Sequence, residues 1–287
     1  MARVRDARDG AATMWRDLFG RRTEPSADVV SALADLDRLV RERPDLESPA
    51  RVLGRVLVAA FGVPALLLKP YESRDLEAIR ELCEAGEPLF TADPPAMNPD
   101  NLRSRAREIC HALKAENPSV AAILKNDVDW FSLASQSLRE GHADVPFPED
   151  LVRSILRLAM MPVLASCSSL FAKQFSDDAM TSRDCPLCGS VPSLAESRGL
   201  EARRVLRCGV CAGEWSAPRL GCAACGEMNA RAIRTQMVEG DESRYRLVRC
   251  DSCGFSLKVV STLKALSAPG LLVAELATIH LDFLAET

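Results

Sequence analysis

The sequence predicts a multi-domain chain of helices and small β modules: an all-helical N-terminal domain, two tandem β modules each closed round four cysteines, and a C-terminal helix. Three observations predict it. Four CxxC pairs fall between Cys185 and Cys253. The stretches inside those pairs alternate with the period of two that marks strands, whereas residues 27–177 carry apolar side chains at helical spacing, broken by prolines. With 287 residues and 47% hydrophobic content, the chain can form more than one domain with a real core.

In the helical part, Val29, Leu33, Leu36 and Val40 share one face, as do Val120, Ile123, Leu124, Val128, Phe131 and Leu138. Stop signals at Pro44, Gly62-Val63-Pro64, Pro88, Asp93-Pro94-Pro95, Asn117-Pro118 and Pro146-Phe147-Pro148 imply about six helices. Glu149–Phe175 is apolar nearly all round its middle, through Ile155, Leu158, Met160, Met161 and Val163, and so belongs at the centre of a bundle. Cys83, Cys110 and Cys167 fall among apolar helical positions and read as small buried hydrophobes. The expected boundaries are an extension over 1–26, the helical domain over 27–180, modules over 181–219 and 220–264, and a docking helix over 265–287. That last helix opens at Pro269-Gly270 and sets Leu272, Leu276, Ile279 and Phe283 on one face. One amphipathic helix is not stable alone, so it should dock.

The cysteine pairs are Cys185/Cys188, Cys208/Cys211, Cys222/Cys225 and Cys250/Cys253. A two-residue gap lets both thiolates of a pair face one ion from a single turn, and two such turns complete a tetrahedron. What lies between the pairs decides the partners. The 19 residues between Cys188 and Cys208 read as a hairpin turning near Arg198-Gly199, and the 24 between Cys225 and Cys250 as another turning at Glu239-Gly240-Asp241. The ten between Cys211 and Cys222 hold no hairpin. The first site is therefore Cys185, Cys188, Cys208 and Cys211, and the second is Cys222, Cys225, Cys250 and Cys253. Competing arrangements are an interleaved set, first pair with fourth, and disulfides. Gly189, Gly226 and Gly254 follow three of the four pairs, where a positive φ would let backbone N–H groups approach the sulfurs.

Four thiolates leave no open coordination position, so neither site can activate water. His111, His142 and His280 lack a supporting constellation, and no nucleophilic triad, phosphate loop or dinucleotide motif is present. The chain reads as a non-enzyme whose metals are structural, or one-electron centres if iron. Sulfur tetrahedra accept zinc and iron alike. Formal charge is -4, and residues 183–264 carry 13 Lys or Arg against 9 Asp or Glu, a surplus that eight thiolates and two divalent ions cancel. A neutral module argues against binding nucleic acid. Met1–Gly10 has no apolar segment of a secretory signal, Arg21-Arg22 is followed by none, and the apolar runs Val56–Leu68 and Leu158–Leu164 are too short to span a bilayer. A cytoplasmic protein without membrane insertion is expected.

One stretch is distinctive: Cys208-x-x-Cys211-x-x-Glu214-Trp215-x-x-x-Arg219-x-x-Cys222-x-x-Cys225-Gly226. With Cys185-Pro186-x-Cys188-Gly189-Ser190-x-Pro192, Cys253-Gly254-x-x-Leu257-Lys258 and the ending from Glu275 to Asp282, it resembles the FdhE formate dehydrogenase accessory proteins. The resemblance implies two rubredoxin-like, zinc-ribbon-like modules, each holding iron through four cysteines. It also implies a cytoplasmic maturation role in which the partner is the catalytic subunit of a molybdenum-containing formate dehydrogenase. Departures are Val205, where the family has an aromatic, and Ser256, where it tends to have Tyr; both put surface packing in doubt. Glu214, Trp215 and Arg219 lie between the modules. Trp215 either anchors a partner, as Trp and Arg do at interface hot spots, or packs beneath the strands with Glu214 and Arg219 joining them. The rival functions are a zinc-ribbon nucleic-acid binder and a rubredoxin-like electron carrier.

Overall fold

The computed structural model describes residues 25–62, 64–72, 75–140, 147–172, 182–218, 220–238, 240 and 243–285. Among the expectations, residues 1–24 of the 1–26 extension, His142, Arg219 and most of the linker before Cys185 lie outside the described residues. The chain divides into two compact units, and each gathers segments distant in sequence.

The first unit contains residues 1–69, 96–163 and 267–276. Its helices are α1 (Ala27–Glu42), α2 (Glu47–Phe61), α5 (Pro99–Leu113), α6 (Pro118–Lys125), α7 (Trp130–Glu140), the greater part of α8 (Glu149–Ser168) and most of α9 (Ala268–Ala277). The segment between α2 and α5 contributes α3 (Leu76–Glu84) and α4 (Leu89–Ala92), which belong to the second unit. Helix starts follow the sequence chemistry. Ser26, Asn98 and Asn117 accept from backbone N–H groups of the first turns of α1, α5 and α6, and Pro99 and Pro118 open the last two.

The structure has more helices in 27–168 than about six, because some are short. The face running from Val120 to Leu138 is two helices. Asn126 leaves α6 in an extended conformation, and Asp129 caps a new start by accepting from Ser132 N at 3.0 Å. The core contains Leu36, Leu57, Ile109, Ile155 and Met161, all essentially without exposure. Buried Arg105 donates to the carbonyls of Ala159 (3.2 Å) and Pro64 (3.3 Å). The run judged too short for a bilayer sits in the 20-residue α8, which is long and apolar enough by composition to span one. Just over half of its apolar window, 56%, is buried, as suits a core helix.

The second unit holds residues 70–95, 164–266 and 277–287. Its centre is one six-stranded sheet, from β1 (Pro192–Arg198), β2 (Arg203–Cys208), β3 (Glu214–Ser216), β4 (Ile233–Gln236), β5 (Tyr245–Cys250) and β6 (Ser256–Thr262). The strand order is β3-β2-β1-β6-β5-β4. Both expected hairpins are present, β1/β2 and β4/β5, and each module repeats the order of third, second and first strand. The modules are joined through β1 and β6, which run parallel with Ala195 opposite Val259 and Arg198 opposite Thr262. No alternation pattern announces that pairing, since it links strands about 65 residues apart.

The sheet has two faces. Glu196, Val205, Arg207, Tyr245, Leu247, Lys258 and Val260 lie on one, and Ser197, Arg204, Leu206, Thr235, Arg246, Val248 and Val259 on the other, as the register requires. The first face is covered by α10 (His280–Ala285), where His280 stacks edge-on against Tyr245 at 6.3 Å and Asp282 pairs with Lys258 at 3.0 Å. The single last helix of the sequence reading is thus two, broken around Thr278-Ile279, and Ile279 and Phe283 of its expected apolar face are exposed.

Candidate metal centres

Each CxxC pair closes the same turn. The N–H of the first cysteine donates to the carbonyl five residues on, and the N–H four residues on donates back to that cysteine's carbonyl. For Cys185 these are Ser190 (2.8 Å) and Gly189 (2.8 Å); for Cys208, Gly213 (3.0 Å) and Ala212 (3.0 Å). For Cys222 they are Glu227 (2.8 Å) and Gly226 (3.1 Å); for Cys250, Phe255 (2.9 Å) and Gly254 (2.8 Å). The fifth residue of the turn must be left-handed. Gly189, Gly226 and Gly254 have φ of 74–75°, and Ala212 holds φ 55° without glycine's freedom. The N–H groups of these glycines therefore serve the turn carbonyls. Sulfur is approached instead by Val210 N (3.4 Å) and Cys211 N (3.5 Å) at Cys208, Gly213 N (3.4 Å) at Cys211, and Ala224 N (3.3 Å) at Cys222.

The turns bring Cys185, Cys188, Cys208 and Cys211 into one group and Cys222, Cys225, Cys250 and Cys253 into another, each with sulfurs within 4.8 Å of one another. The Cys185–Cys211 and Cys188–Cys208 sulfurs are 3.6 and 3.4 Å apart, and the Cys222–Cys253 and Cys225–Cys250 sulfurs 3.6 and 3.8 Å. A metal about 2.3 Å from four sulfurs requires tetrahedral edges of about 3.8 Å, whereas a disulfide requires about 2.05 Å. The donor set fits a soft, four-coordinate ion.

Four crowded thiols do not ionise together unaided. In the first group burial and the neighbouring sulfurs hold Cys185 well above the ordinary thiol range, burial does the same for Cys211, and hydrogen bonds from the other three sulfurs hold Cys188 well below it. In the second group Cys253, although lowered by the N–H of Phe255, is pushed up to about 12 by desolvation and the other sulfurs. Cys250, although raised by desolvation, is brought down to about 7 by the N–H groups of Cys253 and Ser252 and by its sulfur neighbours. A bound cation is what would hold all four as thiolates.

The surroundings of the two groups differ. Around the first, the free N–H groups at the start of α4 donate to the Cys185–Cys188 turn, Leu89 N to Pro186 O (3.2 Å) and Phe90 N to Leu187 O (2.6 Å). Phe90 packs edge-on against Tyr71, which meets Phe171 likewise, and Ser168 Oγ donates to Cys211 O at 3.0 Å. The thiol of Cys83 is only half-buried and faces Pro186 O at 3.7 Å, while Cys110 and Cys167 are buried hydrophobes. The second group leaves Cys225 and Cys253 exposed. Its turns tie mainly to each other, through Ser252 Oγ to Glu227 Oε2 (2.9 Å), and to β4, through Arg234 to Asp251 (2.6 Å).

A buried ionic network, which sequence reasoning missed, braces the first module. Glu196, fully buried, pairs with Arg207 and with Arg198 (2.9 Å) and accepts from Thr262 Oγ1 (2.8 Å). Arg198 also grips Glu214 (2.8 Å), and Arg207 donates to Leu266 O (2.9 Å). The only available signal was charge recurring at strand positions otherwise apolar. Glu214 is thereby tied to the sheet. Trp215 is 1% exposed, with Nε1 donating to Ser182 O at 2.9 Å, so its ring packs beneath the strands and presents no surface to a partner. Val205 is also buried, so its departure from the family pattern concerns interior packing. His111 is exposed on α5.

No protein-family model matches the chain. Three curated proteins are similar to it. An FdhE homolog of Aquifex aeolicus is 26% identical over 159 residues, 54% of this chain and 53% of that protein. An FdhE homolog of Edwardsiella ictaluri is 32% identical over 100 residues, 34% of this chain and 32% of that one, and FdhE of Escherichia coli O127:H6 is 30% identical over 78 residues, 26% and 25% respectively. The matches thus span about half or less of the length of these relatives. The crystal structure of the FdhE protein from Pseudomonas aeruginosa shares the fold, with a TM-score of 0.62 and 20% identity over 94% of this chain and 92% of that one. The chain is thus similar in sequence to FdhE proteins over part of their length, shares the fold of one, and carries two four-cysteine groups.

Proposed function

We propose that this chain is a non-enzymatic accessory factor for formate dehydrogenase, acting in the cytoplasm on the immature catalytic subunit of a molybdenum-containing enzyme. The observation that carries the reading is the pair of tetrahedrally spaced sulfur groups in a chain similar to FdhE proteins. In this reading Cys185, Cys188, Cys208 and Cys211 hold one ion and Cys222, Cys225, Cys250 and Cys253 a second, in modules over 181–219 and 220–264. Iron is the metal we assign, with zinc the alternative that the same donors accept. A closed thiolate shell supplies folding free energy and, with iron, one-electron chemistry, but no Lewis-acid site. The chain's own residues orient the sulfurs by the turn hydrogen bonds and exclude water from the first group. With iron, the exposed second group is the one placed to exchange an electron with a partner.

Two measurements test this. Immature catalytic subunit used as bait should retain the full chain from a cytoplasmic extract, and repeated failure to retain it sinks the accessory role. Anaerobically purified protein should contain two metal equivalents and the visible absorption of iron–thiolate. Colourless, zinc-only protein from iron-replete cells removes the redox part.

A further inference from the structure

The face of the sheet opposite α10 carries a feature that the metal groups do not use. Ser197 on β1, Arg204 on β2, Thr235 on β4, Arg246 and Val248 on β5 and Val259 on β6 line a hollow of about 250 Å³, bordered by Leu220-Gly221 of the connection between modules. The register sets all six side chains on one face, so the parallel β1/β6 junction forms its floor. The hollow exists only because the two modules share a sheet.

Two arginines line the hollow, and among the described residues no carboxylate side chain lies on this face between them. Arg204 donates to Gly221 O (2.8 Å) and Pro218 O (3.2 Å), which fixes the connection at the rim and leaves part of its donor fork unused. Arg246 is half-buried, and its guanidinium makes no hydrogen bond or ion pair among the described residues. Glu196 also borders the space, but by its backbone, for its carboxylate lies on the other face of the sheet, engaged by Arg198, Arg207 and Thr262. Burial lowers both arginines below the ordinary range; the charge of Arg246 lowers Arg204 further, and the nearby Cys222 offsets part of that. Two like charges facing one partly desolvated space constitute an unmet demand for an anion. Hydroxyls of Ser197 and Thr235 add neutral donors, and Val248 and Val259 an apolar floor.

We propose that this hollow is an oxyanion-binding site that takes a carboxylate or phosphate group on a small apolar body, held by Arg246 and Arg204. The volume lies below that of pockets for drug-sized molecules, so one terminal group enters rather than an extended ligand. The planar fork of arginine matches the two oxygens of either group. The anion comes from a free small molecule or from a polypeptide carboxylate, and the test separates the two.

Amide-resolved NMR titrations of the metal-loaded full chain would use inorganic phosphate, acetate, and a short apolar peptide with a free C-terminal carboxylate beside its amidated twin. Chloride at equal ionic strength is the control. Saturable shifts at Ser197, Thr235 and Val248 are expected for the oxyanions and not for chloride. Arg246→Gln should weaken them about ten-fold or more, with metal content unchanged, and Arg246→Lys should restore part of the loss. Arg246 is chosen because it holds no backbone group. Tighter binding of the free-acid peptide than of acetate, lost on amidation, assigns the anion to a polypeptide; equal binding assigns it to a free small anion. Absence of saturation up to about 10 mM in every arm, or binding that survives Arg246→Gln unchanged, overturns the site.

Discussion

Both four-cysteine groups close through identical turn hydrogen bonds, yet they sit in opposite environments. Cys185, Cys208 and Cys211 of the first are buried, under α4, Ser168 and the network of Glu196, Arg198 and Arg207. In the second, Cys225 and Cys253 are exposed and the turns rely chiefly on one another. The local turn decides that four sulfurs meet. What surrounds the turn decides how readily an ion leaves, how sulfur meets a partner or oxidant, and how far damage spreads through the fold.

The strongest way to break the comparison is to remove one ligand from each group. Ion binding at such sites can contribute about 10 kcal/mol or more to folding. Cys188→Ser should lose one metal equivalent and the cooperative unfolding of the six-stranded sheet, since β1 and β2 carry both the first group and the junction to β6. Cys225→Ser should lose one equivalent while β1–β3 keep their amide protection. Metal analysis with hydrogen exchange reads both. Unchanged metal content in either variant would show that the ligand assignment is wrong, and equal loss of protection in both would erase the asymmetry.

Next in size is the network. Glu196→Gln removes the fully buried carboxylate shared by Arg207 and Arg198 and leaves Glu214, 2.8 Å from Arg198 and 3.7 Å from Arg207, as their remaining charge partner, at a cost of about 3 kcal/mol. The same group sets a pH dependence. Burial alone would raise the Glu196 carboxyl, but the hydrogen bond from Arg198 and the charges of Arg207 and Arg198 hold it below the ordinary carboxylate range. A depressed carboxyl stabilises the fold fully above its unfolded pKa, about 4.3, and loses that contribution as pH falls through its folded value. Denaturant midpoints should therefore drop on acidification in the parent and drop less in Glu196→Gln. Parallel acid profiles would remove Glu196 as the source.

Exposure should then appear as a rate. A chelator in excess is expected to withdraw the second ion about ten-fold faster than the first, a barrier difference of about 1.4 kcal/mol. The absorbance trace should resolve into two phases of equal amplitude, and Cys225→Ser should delete the fast one. A single phase for both ions would mean that burial of Cys185 and Cys211 does not slow release.

These differences were unevenly legible in the sequence. The cysteine grouping could be read because ligand spacing and hairpin length are local, and Val191–Arg207 and Ala232–Leu247 alternate clearly. Tandem order was legible too. The sharing of one sheet was not, because parallel pairing of Ala195 with Val259 depends on no turn between them. The same holds for the network: Glu196, Arg198 and Arg207 look like ordinary surface charge until β1 and β2 pair, Thr262 arrives from β6 of the second module and Leu266 from beyond it. In the helical half, Asn117 with Pro118 was visible as a stop, but Asn126 and Asp129, which split one apparent helix into two, were hidden by unbroken apolar spacing. The last helix failed for the same reason, since spacing alone placed Ile279 and Phe283 with Leu272.

The smallest effect separates the four turns themselves. Three of them place glycine at the left-handed position, and the turn after Cys208 places Ala212 there at φ 55°. A side chain in that region costs roughly 1–2 kcal/mol, and glycine gives back part of the difference through the freer unfolded chain, so Ala212→Gly should stabilise the first module by about 0.5–1 kcal/mol. The converse change, Gly189→Ala, should destabilise by more, because φ is 75° and the new Cβ would lie 2.7 Å from Pro88 Cγ. Denaturant midpoints with zinc in excess measure both. Should Ala212→Gly leave the midpoint unmoved, the strain is not at residue 212. The turn would then be set by Gly213, whose missing Cβ would sit 3.1 Å from the sulfur of Cys211 and 3.2 Å from Leu187 Cδ1.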